Sequence, residues 1–171
     1  LHAAKNYGCR ITSTTISQEQ YIFAENLIQK NGLQDQVTII KKDFRELEGQ
    51  FDKLVSIEMI EAIGHKLYKK FFQKCSQLLK PEGLLVIQAI TIADNLFEES
   101  KDFIDFIKQY IFPGSCIPSI SALCSAATSS DIKLFHLEDI TPHYARTLKE
   151  WRTKFLQNKS RVKELGFTNA F

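Results

Sequence analysis

Residues 79–92 read LKPEGLLVIQAITI, and this stretch decides the fold class. Lys80-Pro81-Glu82-Gly83 predicts a turn, because Pro fixes one backbone angle and Gly frees another. Leu84–Ile92 then predicts a strand whose long apolar run, with Gln88 in its middle, implies a sheet covered on both faces. Just upstream, His65–Leu79 sets Leu67, Phe71, Phe72, Cys75, Leu78 and Leu79 towards one side of a helix. Phe51-Asp52 introduces Lys53–Ile57 (KLVSI), another short strand. Strand, helix and strand in this order predict a parallel sheet with helical crossovers.

The N-terminal side repeats the alternation. Arg10–Ile16 (RITSTTI) is rich in β-branched residues and predicts a strand. Ser17 stands as an N-cap with Gln20 three residues on, the capping-box spacing. Tyr21, Ala24, Leu27 and Ile28 recur at helical spacing until Gly32, and Val37–Lys41 predicts a further strand. Beyond Thr91 the pattern changes. Phe103–Phe112 predicts an aromatic helix broken by Pro113-Gly114. Ser119–Ser129 predicts a helix, Ile132–Ile140 a late strand, and Thr141-Pro142 opens a long polar helix to about Leu165.

Bulk properties narrow the function. The 171 residues carry a net charge of +2, with 44% hydrophobic and 25% charged residues. No concentrated basic character supports nucleic acid as the partner. Cys9, Cys75, Cys116 and Cys124 form no CxxC pair and have no His at zinc-ligand spacing, so no metal site is predicted. No apolar run approaches the roughly 18 residues of a membrane span. Free thiols in a reducing cytoplasm are the simplest reading. Thirteen Phe predict an aromatic core or channel.

In an open α/β sheet, ligands sit outside the carboxyl ends of the strands. Three such ends carry suggestive residues. Thr15, Ile16 and Ser17 through Gln20 gather hydroxyls and an amide at a helix start, suited to ribose hydroxyls or to plain capping. Asp43-Phe44 sets an acceptor beside a ring, suited to an adenine amino group and its face, or to a solvated carboxylate. Ile57-Glu58-Met59-Ile60-Glu61 puts carboxylates after the central strand, where they serve a ligand or the next helix N-terminus. Gln88 within an apolar strand and Tyr144 beside His143 are polar groups needing partners.

Five motifs recur in this order in one family. Ile57–Gly64 (IEMIEAIG), Leu79–Gly83 (LKPEG), Gln88–Ile92 (QAITI), Tyr110–Gly114 (YIFPG) and His143–Trp151 (HYARTLKEW) resemble cyclopropane-fatty-acyl-phospholipid synthases and the related mycolic acid methyltransferases. The similarity runs from Tyr7 to Phe167. It implies a Rossmann-like class I fold dependent on S-adenosylmethionine (SAM), in a single domain over 1–171. Residues 1–92 would bind cofactor, and 93–167 would form a helical cap and substrate channel with a late strand. It implies methyl transfer from SAM to the cis double bond of unsaturated phospholipid acyl chains, with bound bicarbonate removing a proton as the ring closes. Thr15, Ile16, Gln20, Asp43 and Phe44 match SAM-contacting positions. Glu61, Tyr144, Gln88 and the backbone at Ile57 match the bicarbonate pocket. Phe103, Phe106, Tyr110 and Phe112 would suit an acyl channel.

The sequence also departs from that family. Gln88 stands where many synthases have His, Ser115 where a second Gly often follows IFPG, and the family's upstream bicarbonate-contacting Cys has no counterpart. The family's first strand and Gly-rich loop are expected before Leu1, since none of the seven glycines forms a GxG, and the family continues beyond Phe167. The 171 residues alone are therefore expected to be inactive, with exposed sheet edges open to a second copy. Other readings are a small-molecule amine N-methyltransferase, which shares the IExxE region, and a non-catalytic remnant. His65, Lys66, Lys69, Lys70, Lys74 and Lys80 on one helix predict peripheral membrane contact or a solvated basic face.

Overall fold

Gly8 closes the first helix, α1 (His2–Tyr7), in the left-handed conformation (φ 62°) that costs Gly nothing. The chain then enters β1 (Ile11–Thr14), crosses through α2 (Gln18–Lys30) and returns in β2 (Val37–Ile40). β1 and β2 pair in parallel from Ile11 opposite Val37 to Thr14 opposite Ile40. Ser17 caps α2 as its pattern predicts, its hydroxyl accepting from the Gln20 N–H at 3.2 Å. Ala4, Ile28, Leu33 and Val37 are buried together, with Ile11 and Ile39 packed against them.

The second crossover runs from β3 (Phe51–Ile57) through a 3-10 turn at His65–Leu67 and α3 (Tyr68–Leu78) into β4 (Leu79–Gln88). Here the structure corrects the predicted boundary at LKPEG. Leu79 already pairs with Phe51, and Leu84 pairs with Lys53, so residues 80–83 bulge from within the strand rather than preceding it. The chain doubles back tightly enough that a Cβ on Gly83 would lie 2.7 Å from Leu79 Cδ2 and 2.9 Å from the Lys80 carbonyl. Pro81, which has no N–H to give a ladder, falls inside this looped-out segment.

The computed structural model describes residues 1–168, in two units: Leu1–Lys133, and the chain from Leu134 onward. The last three positions of the predicted 1–171 domain lie outside the described residues. In the first unit, α4 (Asp94–Ser100) and α5 (Ile120–Ala127) follow β4. Its main core joins Ile60, Tyr68, Phe71, Phe72, Cys75 and Ala126, with Leu54, Leu85 and Ile87 of the sheet packed on them. Phe71 meets Phe44 and Phe72 edge-on, at 5.8 and 5.5 Å between ring centroids. Burial pushes the Cys75 thiol up to about 12, so it stays neutral and inert as a packing group.

Three expectations fail for identifiable reasons. Only one face of the β3–β4 pair is covered by described residues, and Val55, Ile57, Leu84 and Val86 on the other face are exposed. Phe103–Phe112 is not one helix: α4 ends at Ser100 and only Ile107–Ile111 turns, as a single π-helical turn. The Lys108 ammonium, lodged against the carbonyls of Ser100, Lys101 and Phe103, ties this segment down from within.

Ile132–Ile140, the late strand expected in 93–167, has no regular structure. A strand exists through its ladder, and no described segment pairs with it. Leu134, Phe135 and Leu137 are all exposed, so their alternation separates no buried face from a wet one. In the second unit, α6 (Thr141–Gln157) carries Pro142 in its first turn, where its missing N–H costs nothing. Asn158 interrupts the predicted long helix, and α7 (Lys159–Glu164) follows.

Candidate functional site

The carboxyl ends of β3 and β4 converge on a polar cluster. β3 ends at Ile57, and Glu58 next to it adopts φ 48°, a left-handed conformation found at no other non-Gly residue among those described. The Glu58 N–H donates to the Gln88 carbonyl at 2.8 Å, and the Gln88 amide donates to Glu58 Oε1 at 3.0 Å. Two strand ends are thereby fastened by reciprocal bonds. Gln88, the polar residue in the apolar run, has its partner in the IExxE segment.

Glu61 is held more closely. Its Oε1 accepts from the Ile90 N–H at 2.5 Å, and its backbone carbonyl accepts from the Cys116 N–H at 2.8 Å. Its Oε2 is buried and has no hydrogen-bond partner. A buried carboxylate oxygen without a donor costs free energy on the order of 1–3 kcal/mol. The same loop approaches the 112–118 segment at backbone distance, since a Cβ on Gly64 would lie 2.8 Å from the Gly114 carbonyl. Gly64, with φ 76°, is therefore doubly required.

The ends of β1 and β2 gather the other predicted residues. The Thr15 hydroxyl donates to Gln20 Oε1 at 2.6 Å and accepts from the Ser17 N–H at 3.1 Å. Ile16, 74% exposed, projects from the same corner. Asp43 takes Arg45 as a fork, with Nε on Oδ1 at 2.8 Å and Nη2 on Oδ2 at 2.9 Å, and also accepts the Arg45 N–H at 2.9 Å. The Arg45 guanidinium holds the Asp43 carboxyl below its ordinary range, so it is ionised at neutral pH. Phe44 is half-buried, with one ring contact used by Phe71.

Ile57, Gln88 and Glu61 therefore lie together at one strand pair, and Thr15, Ile16, Gln20, Asp43 and Phe44 at the ends of the other. Tyr144 lies in the second unit on α6, its ring 6.4 Å from that of Trp151. Sequence reading missed the Ile90 N–H, Tyr68 and Cys116. Backbone donors leave no mark in side-chain identity. Tyr68 sits among the apolar positions of α3, and Cys116 follows YIFPG without a motif of its own. Among the described residues no group of His, Cys, Asp or Glu is arranged to hold a metal ion. No described helix is long and apolar enough to cross a membrane.

A strand-end mouth with two carboxylates and a carboxamide favours positive charge developing beside it. The family model described as mycolic acid cyclopropane synthetase matches residues 1–171. Tuberculostearic acid methyltransferase UfaA1 of Mycobacterium tuberculosis is 34% identical over 165 residues, covering 96% of this chain and 39% of that protein. Cyclopropane-fatty-acyl-phospholipid synthase of Escherichia coli is 34% identical over 158 residues, covering 91% of this chain and 38% of that protein. The chain thus spans well under half the length of these curated relatives. Among solved structures, mycolic acid cyclopropane synthase CmaA1 complexed with SAH and CTAB superposes with a TM-score of 0.86 at 25% identity, over 96% of this chain and 61% of that one. Coclaurine N-methyltransferase bound to N-methylheliamine and SAH gives 0.73 at 22%, over 96% and 50%. The fold is that of the class I SAM-dependent methyltransferases.

Proposed function

Because the chain belongs to the mycolic acid cyclopropane synthetase family, we propose that the protein carrying it transfers a methyl or methylene group from SAM to the cis double bond of unsaturated phospholipid acyl chains. The observation that carries this reading is the Glu61 carboxylate, fixed at one oxygen and buried without a donor at the other. A small hydrogen-bond donor is what such an oxygen lacks. Bicarbonate, whose hydroxyl can donate, fits that requirement; Gln88 and the Ile57 backbone are the further residues of the first unit that we assign to it.

Bound SAM would supply an electrophilic methyl group and bound bicarbonate a base small enough to work in a closed pocket. The chain's own residues do the rest. Glu61 orients the anion and, with Glu58, keeps the mouth negative where the alkene carbon becomes cationic. Thr15, Ile16 and Gln20 take the ribose side of the cofactor. Asp43 keeps an acceptor site for an adenine amino group, because Arg45 supplies only three donors to its two oxygens. Phe44 borders the ring. Residues 1–92 thus serve the cofactor and 93–167 the acyl chain, with Phe103, Phe106, Tyr110 and Phe112 exposed and available to lipid.

The test is methyl transfer from labelled SAM to vesicles of dioleoyl phospholipid by the intact protein. Glu61→Gln is expected to lower kcat at least ~100-fold while SAM affinity changes less than about twofold, the pattern of a group used only in the transition state. Equal loss of SAM binding would make Glu61 a cofactor or folding residue. A second reading, N-methylation of a small amine, is favoured by Glu58, a second carboxylate that would attract an ammonium. Turnover of amines without turnover of vesicles would establish it in place of the first.

A further inference from the structure

Tyr68 is a phenol placed where the helix pattern calls for an apolar residue. It is 3% exposed, in the core with Ile60, Phe71 and Phe72. Its hydroxyl donates to the Cys116 carbonyl at 2.5 Å, a bond spanning 48 residues. Burial, and then this bond, push the phenol above its ordinary range, so it remains a donor at every working pH. Cys116 is itself 2% exposed. Its N–H is the group that holds the Glu61 backbone carbonyl at 2.8 Å. Both backbone polar groups of one buried residue are thus committed, one to the first residue of α3 and one to the acid.

The close approach of Gly114 to Gly64, and the Ile92 N–H on the Pro118 carbonyl at 2.9 Å, also tie the 112–118 segment to the strand ends. Neither reaches Glu61. An apolar side chain of the same shape would fill the space of Tyr68 and leave the Cys116 carbonyl without a donor, and the segment held by one bond fewer. A shift of a few tenths of an ångström would pass to Glu61, whose carboxylate is held at one oxygen only.

We propose that Tyr68 is a positioning residue for Glu61, acting through Cys116. The proposal rests on the role assigned to Glu61 above. In the intact protein, Tyr68→Phe is expected to lower kcat for vesicle methylation 10- to 100-fold, with KM and SAM affinity changed less than about twofold. Phe72→Leu thins the same core without touching Cys116, and sets the effect of lost stability alone. Combined with Glu61→Asp, Tyr68→Phe is expected to add little to the loss caused by Glu61→Asp alone, because both act on one carboxylate. Losses that multiply, or a kcat no lower than that of Phe72→Leu, would overturn the proposal. A Tyr68→Phe protein that fails to fold would also count against it, making the hydroxyl a stability element. If Glu61→Gln itself leaves turnover intact, the proposed function falls first; if Glu61→Gln is dead and Tyr68→Phe is normal, only the positioning role falls.

Discussion

Gly64 shows how much one residue can decide. Alanine there meets two penalties at once: a backbone with positive φ and extended ψ (76°, 153°) that only Gly adopts readily, worth roughly 1–3 kcal/mol for a residue with a Cβ, and a clash with the Gly114 carbonyl 2.8 Å away. Gly64→Ala is expected to lower stability by about 2–4 kcal/mol in urea unfolding. Replacing Gly32, which has φ 64° but open space around it, should cost only the backbone part. At this scale the sequence was partly legible. Glu61, Gln88 and Ser17 stand where their types and spacing put them. The bond from Ile90 to Glu61, the orphaned Oε2 and the Tyr68 bond to Cys116 were not legible, because they depend on how two distant loops approach each other.

Helix α3 carries two messages in one pattern. Tyr68, Phe71, Phe72, Cys75 and Leu78 face the core, and Lys66, Lys69 and Lys70 are exposed at its start. Lys74, counted with that basic face from sequence, instead donates to the Leu47 carbonyl at 3.1 Å and belongs to the structure. If the exposed lysines meet anionic headgroups, binding to vesicles containing phosphatidylglycerol should weaken steeply with salt. Replacing Lys66, Lys69 and Lys70 together by Gln should weaken it by about 3 kcal/mol, at roughly 1 kcal/mol per lysine. Unchanged binding would leave these residues as a solvated face. Helices and strands built from local periodicity were readable. The Ile132–Ile140 strand was misread because alternation supplies a face but cannot supply a partner.

At the scale of the whole chain, the parallel α/β character and the family were both legible, since each rests on the order of elements and motifs. What sequence could not give was the grouping of the strands. The described strands form two separate parallel pairs, β1–β2 and β3–β4, and the second presents Val55, Ile57, Leu84 and Val86 to solvent. Within the first unit, the loop after β3 and the segment after the π-helical turn are fastened to each other by the Cys116 N–H on the Glu61 carbonyl and by the close approach of Gly64 to Gly114. For anyone recombining relatives of this protein, those two stretches are one inheritable block. Transplanting residues 57–64 from a homologue by themselves should give a crippled chimera. Moving 57–64 together with 112–119 should restore its turnover, because the crossover points then fall outside the stitched pair.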